Sequence, residues 1–246
     1  MSQEDAPLAY DTSVCLHLED AAPVPFSFGA GDPTTVRPLR RLDDWSLRSG
    51  VLQLEAGWSS GSALRARTTT QLMVLDGRLQ LGERVLQANA FVAVPAGGAL
   101  PLLTALAPSR VMLIQDAGAA YSPVADGDDA IVHPDVLAIE PIIPVIAGRK
   151  LDGFERRTLW LDPASGADTR LLRVPAGFQG AGPNWHPVNE EIFCLAGDIA
   201  PDDSRPMRPG SFLWNPARSI HGFNERTVGG CVLLEWHDGP WALTLA

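Results

Sequence analysis

The chain repeats itself. Shifted by 120 residues, Val51-Leu52-Gln53-Leu54-Glu55-Ala56-Gly57-Trp58 lies over Leu171-Leu172-Arg173-Val174-Pro175-Ala176-Gly177-Phe178, and Gln71 to Gly77 lies over Glu191 to Gly197. With one residue added in the intervening loop, Phe91 to Ala96 lies over Phe212 to Ala217, and Val111 to Leu113 over Val232 to Leu234. Apolar segments that match together with their turn glycines mark two copies of one structural unit, each with its own apolar face to bury. Two similar domains in tandem are therefore expected.

Within each copy the apolar runs are short, and the 21 Pro and 23 Gly of the chain punctuate them. No amphipathic pattern of roughly a dozen residues at helical period stands out. Short, evenly spaced strands favour a closed barrel or a double-sheet jelly roll, either of which protects its edges. The polar, acidic stretch Ser122 to Asp129 is the expected boundary. It gives an arm over residues 1–20, a first domain over 21–128 and a second over 129–246, with Ala130 to Val145 available to the second as lead-in strands. The arm is expected to be loosely held or packed on a neighbouring chain.

Charge and cysteine usage narrow the partners. A formal net charge of −10 argues against nucleic acid, whose binding needs a positive face. Cys15, Cys194 and Cys231 are odd in number, widely spaced and form no disulfide framework. The N-terminus has no basic start followed by an apolar core, and no apolar run approaches the ~20 residues of a membrane span. A cytoplasmic protein with a small-molecule partner is expected, and a homodimer is left open.

Only five histidines are present, and two of them, His186 and His221, fall with the carboxylate of Glu190 in the segments Asn184-Trp185-His186-Pro187-Val188-Asn189-Glu190-Glu191 and Gly210 to His221. These residues resemble the two motifs of the cupin family. His186, Glu190 and Gly197 fit the first motif, His-x-His, three or four residues, Glu, six residues, Gly. Gly210, Pro216 and His221 fit the second, Gly, five residues, Pro-x-Gly, two residues, His. The string His-Pro-x-x-Glu-Glu-Ile-Phe-x-Leu-x-Gly looks most like the branch named after ChrR anti-sigma factors, which also contains metal-dependent dioxygenases that cleave carbon–carbon bonds. The resemblance is detailed over Leu171 to His237. It implies an all-β chain of two tandem cupin barrels, each a double-stranded β-helix or jelly roll.

It also implies metal ligands at His186, Glu190 and His221. Residues two apart on a strand share a face, so Asn184 and His186 point the same way and Glu190 returns after the Pro187-Val188-Asn189 turn. Two histidines and a carboxylate with open positions suit Fe(II), with Zn, Mn or Ni able to use the same set. Glu191 is the alternative carboxylate. The plainer reading of the three residues is a satisfied buried His–Glu network.

Two positions depart from the family pattern. Asn184 replaces the first histidine and is either a weak oxygen ligand or a partner for bound water. Arg218 replaces the glycine of Pro-x-Gly; it is a candidate substrate contact through its planar fork, or an exposed loop arginine. His237 shares strand parity with Cys231 and Leu233, which makes it a candidate base behind the ligands. In the first copy the positions of Asn184, His186, Glu190 and His221 hold Leu64, Ala66, Thr70 and Leu100, so no metal is expected there. The family points to a metal-dependent dioxygenase acting on a diketone or hydroxyketone; a non-catalytic sensor module and a metal-assisted isomerase or lyase are the alternatives.

Overall fold

In a computed structural model describing residues 7, 12–146 and 148–246, the regular structure is β-strand apart from two single turns of 3-10 helix, Leu18–Asp20 and Val136–Ala138. No helix among these residues is long and apolar enough to cross a membrane. The chain divides into two compact units: residues 20–138, and residues 139–246 together with the N-terminal segment up to Glu19.

In the first unit a seven-stranded antiparallel sheet runs in the order Ile131–His133, Phe91–Val94, Thr70–Asp76, Ser109–Gln115, Leu47–Leu54, Thr34–Arg41, Val24–Phe26. The second unit has a six-stranded sheet built from β1 (Val14–His17), β2 (Glu155–Leu161), β3 (Asp168–Val174), β4 (Glu190–Gly197), β5 (Ser211–Asn215) and β6 (Cys231–His237). Its order is β1-β5-β4-β6-β3-β2. Once the shift of the repeat is applied, the central strands of the two sheets follow the same order. The matched glycines explain part of this agreement. Gly77 and Gly197 both have positive φ, 88° and 79°, where each chain turns against the backbone of the neighbouring strand; a Cβ would collide with Pro108 and Ser109 in one case and with Gly230 in the other.

In each sheet the strand beyond the Phe91–Val94 or β5 position comes from outside the matched segments. Ile131–His133, downstream of the polar stretch, pairs with Phe91–Val94. Tyr121–Val124, at its start, pairs with Ala63–Ala66, so the polar stretch lies within the first unit. Val14–His17, from the expected arm, pairs with β5 of its own chain, which leaves that strand no open edge. Residues 1–6 and 8–11 of the arm lie outside the described residues.

The two interiors are filled differently. The first unit has one large apolar core in which Leu52, Leu64, Leu72, Val92, Leu100 and Val111 are all buried. In the second, a smaller cluster around Phe154, Val174, Cys194, Leu213 and Leu233 leaves a cavity of about 350 Å³. All three cysteines are free thiols.

Candidate metal centre

The site starts from strand register. Asn215 of β5, Glu190 of β4, His237 of β6 and Asp168 of β3 stand directly opposite one another across four adjacent strands. Directly opposed side chains touch, and these four are joined by hydrogen bonds. Asn215 Nδ2 donates to Glu190 Oε2 at 2.8 Å, His237 Nε2 lies 3.1 Å from Glu190 Oε1, and His237 Nδ1 lies 2.6 Å from Asp168 Oδ1. The next row holds Leu213, Ile192, Glu235 and Arg170. There Arg170 Nε donates to Glu235 Oε2 at 2.8 Å, and its guanidinium lies 4.5 Å over the Trp241 ring.

His186 and His221 approach this row from outside the sheet. Asn184 and His221 exchange two backbone hydrogen bonds of 2.9 Å, which brings the two histidine-bearing segments side by side. His186 Nδ1 lies 2.6 Å from the Val188 carbonyl and His221 Nδ1 lies 2.9 Å from the Ser219 carbonyl. A carbonyl only accepts, so each Nδ1 carries a proton. In the neutral rings the lone pairs are therefore at Nε2.

His186 Nε2 is 3.2 Å from Glu190 Oε2, and one donor atom from each of His186, Glu190 and His221 lies within 4.8 Å of the others. Two acceptors this close require a positive charge between them, either a proton on Nε2 or a bound cation. Donor atoms each about 2.1 Å from one ion are about 3.0–3.4 Å apart at tetrahedral or octahedral angles. The His186–Glu190 pair is already at that spacing, and its partners are fixed by backbone carbonyls and by the Asp168–His237 pair, as metal ligands usually are. The donor set fits a divalent ion.

The electrostatics follow from burial. Burial alone pushes the Glu190 carboxyl up, but positive charge at His186 and hydrogen bonds from His186 and His237 outweigh it and hold Glu190 well below the usual carboxylate range. Burial likewise opposes charge on His237, yet the hydrogen bonds to Asp168 and Glu190 prevail and raise it above the ordinary imidazole value. Glu225, which lines the cavity and takes no side-chain hydrogen bond among the described residues, is pushed up to about 7 by burial and by the charges of Glu190 and Glu235.

The family described as Domain of unknown function (DUF4437) matches residues 39–244. The chain belongs to the DUF4437 family. No curated protein matches it in sequence. Among solved structures, a candidate dioxygenase from Nostoc punctiforme is similar at TM-score 0.82 and 16% identity, covering 95% of this chain and 84% of that one. YlbA of E. coli is similar at TM-score 0.64 and 12% identity, covering 94% and 93%. The oxalate decarboxylase of Bacillus subtilis is similar at TM-score 0.60 and 12% identity, covering 99% and 80%. These are cupin-fold proteins, and this DUF4437 chain shares their fold.

Of the residues singled out in sequence, Asn184, Glu190 and His221 line the cavity of the DUF4437 protein, and His186 is fully buried beside them. Asn184 Nδ2 donates to the Gly182 carbonyl at 3.4 Å, and no hydrogen bond among the described residues holds its amide oxygen. His237 is not on the cavity wall: both ring nitrogens are committed, so it holds Glu190 in place. Arg218 is not on the wall either. It carries φ 69°, the conformation that glycine supplies at this turn in the family pattern, and its amide donates to the His186 carbonyl at 2.8 Å. Glu191 is buried opposite Trp214 and Trp236, on the other face of the sheet from Glu190.

In the first copy Leu64, Ala66, Thr70 and Leu100 are buried. Among the described residues, His186, Glu190 and His221 form the one group of His, Cys, Asp or Glu close enough to share an ion. Sequence reasoning missed Asp168, Arg170, Asn215, Glu225, Glu235 and Trp241. Strand parity would have found Asn215 and Glu235, which alternate with outward residues on strands already assigned.

Proposed function

We propose that this DUF4437 protein is a metal-dependent enzyme made of two tandem cupin barrels, with a single divalent ion in the second, held by His186, Glu190 and His221. Its C-terminal half is read as ChrR-like, and its reaction as a dioxygenation of a small diketone or hydroxyketone. The shared strand order of the two sheets supports the tandem arrangement. The observation that carries the metal reading is the pair of histidines whose Nδ1–H groups donate to backbone carbonyls, with His186 Nε2 facing the Glu190 carboxylate at 3.2 Å beside a cavity of about 350 Å³.

Fe(II) suits the two-histidine, one-carboxylate set and supplies Lewis acidity and redox chemistry when bound, though Mn, Ni or Zn can use the same ligands. The residues around it have separate tasks. Asn215 and the His237–Asp168 pair fix the Glu190 carboxylate. The amide oxygen of Asn184 is placed to orient water or a substrate hydroxyl. Glu225, a carboxyl that titrates at about 7, takes a proton from the carbon between the carbonyls, leaving an enolate.

Oxygen uptake by Fe(II)-loaded protein with pentane-2,4-dione and related diketones tests this reading. One oxygen molecule consumed per diketone, lost in Glu190→Gln, is expected; no uptake with any diketone contradicts the dioxygenase assignment. The Glu225 carboxyl also favours a second reading, a metal-assisted isomerase. Exchange of the α-proton for deuterium without oxygen uptake identifies that activity.

A further inference from the structure

His186, Glu190 and His221 are 0%, 5% and 7% exposed, so their donor atoms are almost closed to water. Loading the site calls for part of the wall around it to move. Most of that wall is sheet. Asn215, Glu190, His237 and Asp168 sit in strands of five, eight, seven and seven residues, each paired on both sides, and such strands open only with the unit as a whole.

The segment that follows β6 is different. Trp241, Ala242 and Leu243 form part of the cavity wall. The Trp241 ring centre lies 6.2 Å from that of His186 and 5.8 Å from that of His237, with the Arg170 guanidinium 4.5 Å over it. Yet Pro240 to Leu243 make no hydrogen bond among the described residues. What holds the segment down comes after them: a ladder of Thr244 and Leu245 against Trp185 and Asn184, and a bond of 2.9 Å from the Ala246 amide to the Pro183 carbonyl. Thr244, Leu245 and Ala246 are all exposed.

The root of the segment is fixed. Asn189 donates to Asp238 through its backbone amide at 2.8 Å and its side-chain amide at 2.6 Å, and a Cβ on Gly239 would come within 2.9 Å of Val188. Residues 240–246 are therefore clamped at one end and lightly tied at the other. Lifting them breaks little. Trp241 Nε1 is buried without a partner while the segment is down and regains water once it rises. Arg170 loses the ring but keeps Glu235, 2.8 Å from its Nε. Only the short, exposed ladder is given up.

A second two-residue ladder, Val145–Ile146 with Arg149–Lys150, also borders the cavity. It follows Ile142, the bridge partner of Arg156, and Arg156 stands two rows along β3 from Glu190. Residues 240–246 lie nearer the ligands.

We propose that residues 240–246 are a gate: the segment lifts from Pro183, Asn184 and Trp185, carries Trp241 away from His186, and opens the way to the ligand histidines. The proposal concerns access and is tested on metal-free protein, so its failure is distinct from failure of the metal reading.

Pro183 lies directly opposite Ala246, at a backbone separation that a disulfide spans. Oxidation of Pro183→Cys/Ala246→Cys therefore locks the gate. Diethyl pyrocarbonate, which acylates neutral imidazole, is applied to the full chain stripped of metal by chelation, and peptide mass spectrometry reads each histidine. With the disulfide closed, labelling of His186 and His221 is expected to fall at least tenfold and to return on reduction, while His133, in the other unit, is labelled at one rate throughout. Hydrogen exchange covers the case in which the double variant fails to fold or to form the bond. In the wild-type chain the Trp185 amide, paired with Thr244, should exchange at least tenfold faster than the amides of β4. Labelling that the disulfide does not slow, protection that persists after reduction, or a Trp185 amide as slow as those of β4 overturns the proposal.

Discussion

Glu225→Gln should stabilise the metal-free protein at alkaline pH and leave it unchanged at acid pH. Glu225 titrates at about 7 in the folded chain instead of 4.5, because it is partly withdrawn from water in the cavity wall and faces the charges of Glu190 and Glu235. A raised carboxyl pKa means that the folded state binds the proton more tightly than the unfolded one. Stability from this group is therefore full below pH 4.5 and lost as pH rises through 7. Ionising such a group costs about 3 kcal/mol at pH 8, less whatever water in the cavity screens. Glutamine resembles the protonated form at every pH. At pH 8, in the presence of a chelator, the variant should melt higher than wild type by roughly 6–12 °C, and at pH 4.5 the two should coincide. His237 and Glu235 are also raised and give wild type and variant the same additional loss of stability with rising pH, so the difference between them isolates Glu225. Thermal unfolding followed by circular dichroism at the two pH values is sufficient. An offset that is the same at both, or absent at pH 8, refutes the account of this carboxyl.

Three other outcomes are expected. His237→Gln removes the charged partner of Glu190 and should weaken metal binding about 10–100-fold while the chain still folds; calorimetric titration with Mn(II) measures this, and unchanged affinity would show that Glu190 is held by Asn215 alone. Gly197→Ala places a Cβ against Gly230 at a positive φ and should destabilise the second unit by more than 1 kcal/mol in urea unfolding, on the scale of left-handed strain alone. Gly77→Ala should do the same in the first unit, against Pro108 and Ser109, and a neutral result at either site would break the equivalence of the two turns.

The repeat made the strand order of each sheet legible, because matched apolar segments and matched glycines constrain register wherever one face is buried. It gave no information about what completes each sheet. Val14–His17 and Ile131–His133 carry short, unremarkable sequences, and their pairing depends on which edge each sheet leaves open. The grouping of His186, Glu190 and His221 was legible for a different reason: these residues are close in sequence, or fall at the fixed spacing of a familiar pattern. Asp168 and Arg170 were not, since they become neighbours of Glu190 and His237 only through the register of β3 with β6. Arg156 lines the cavity. Its orientation follows from the position opposite Leu172, which no local pattern encodes. Alternation on β4 puts adjacent residues on opposite sides of the sheet, so Glu190 and not Glu191 lies with the two histidines.

Metal content of the purified chain is the most direct measurement of the central claim. After expression with added iron or manganese, the account predicts one divalent ion per chain, falling below about a tenth in His186→Ala and in His221→Gln with the fold retained. An ion content that the two substitutions leave unchanged, or none in the wild-type protein under the same conditions, would contradict it.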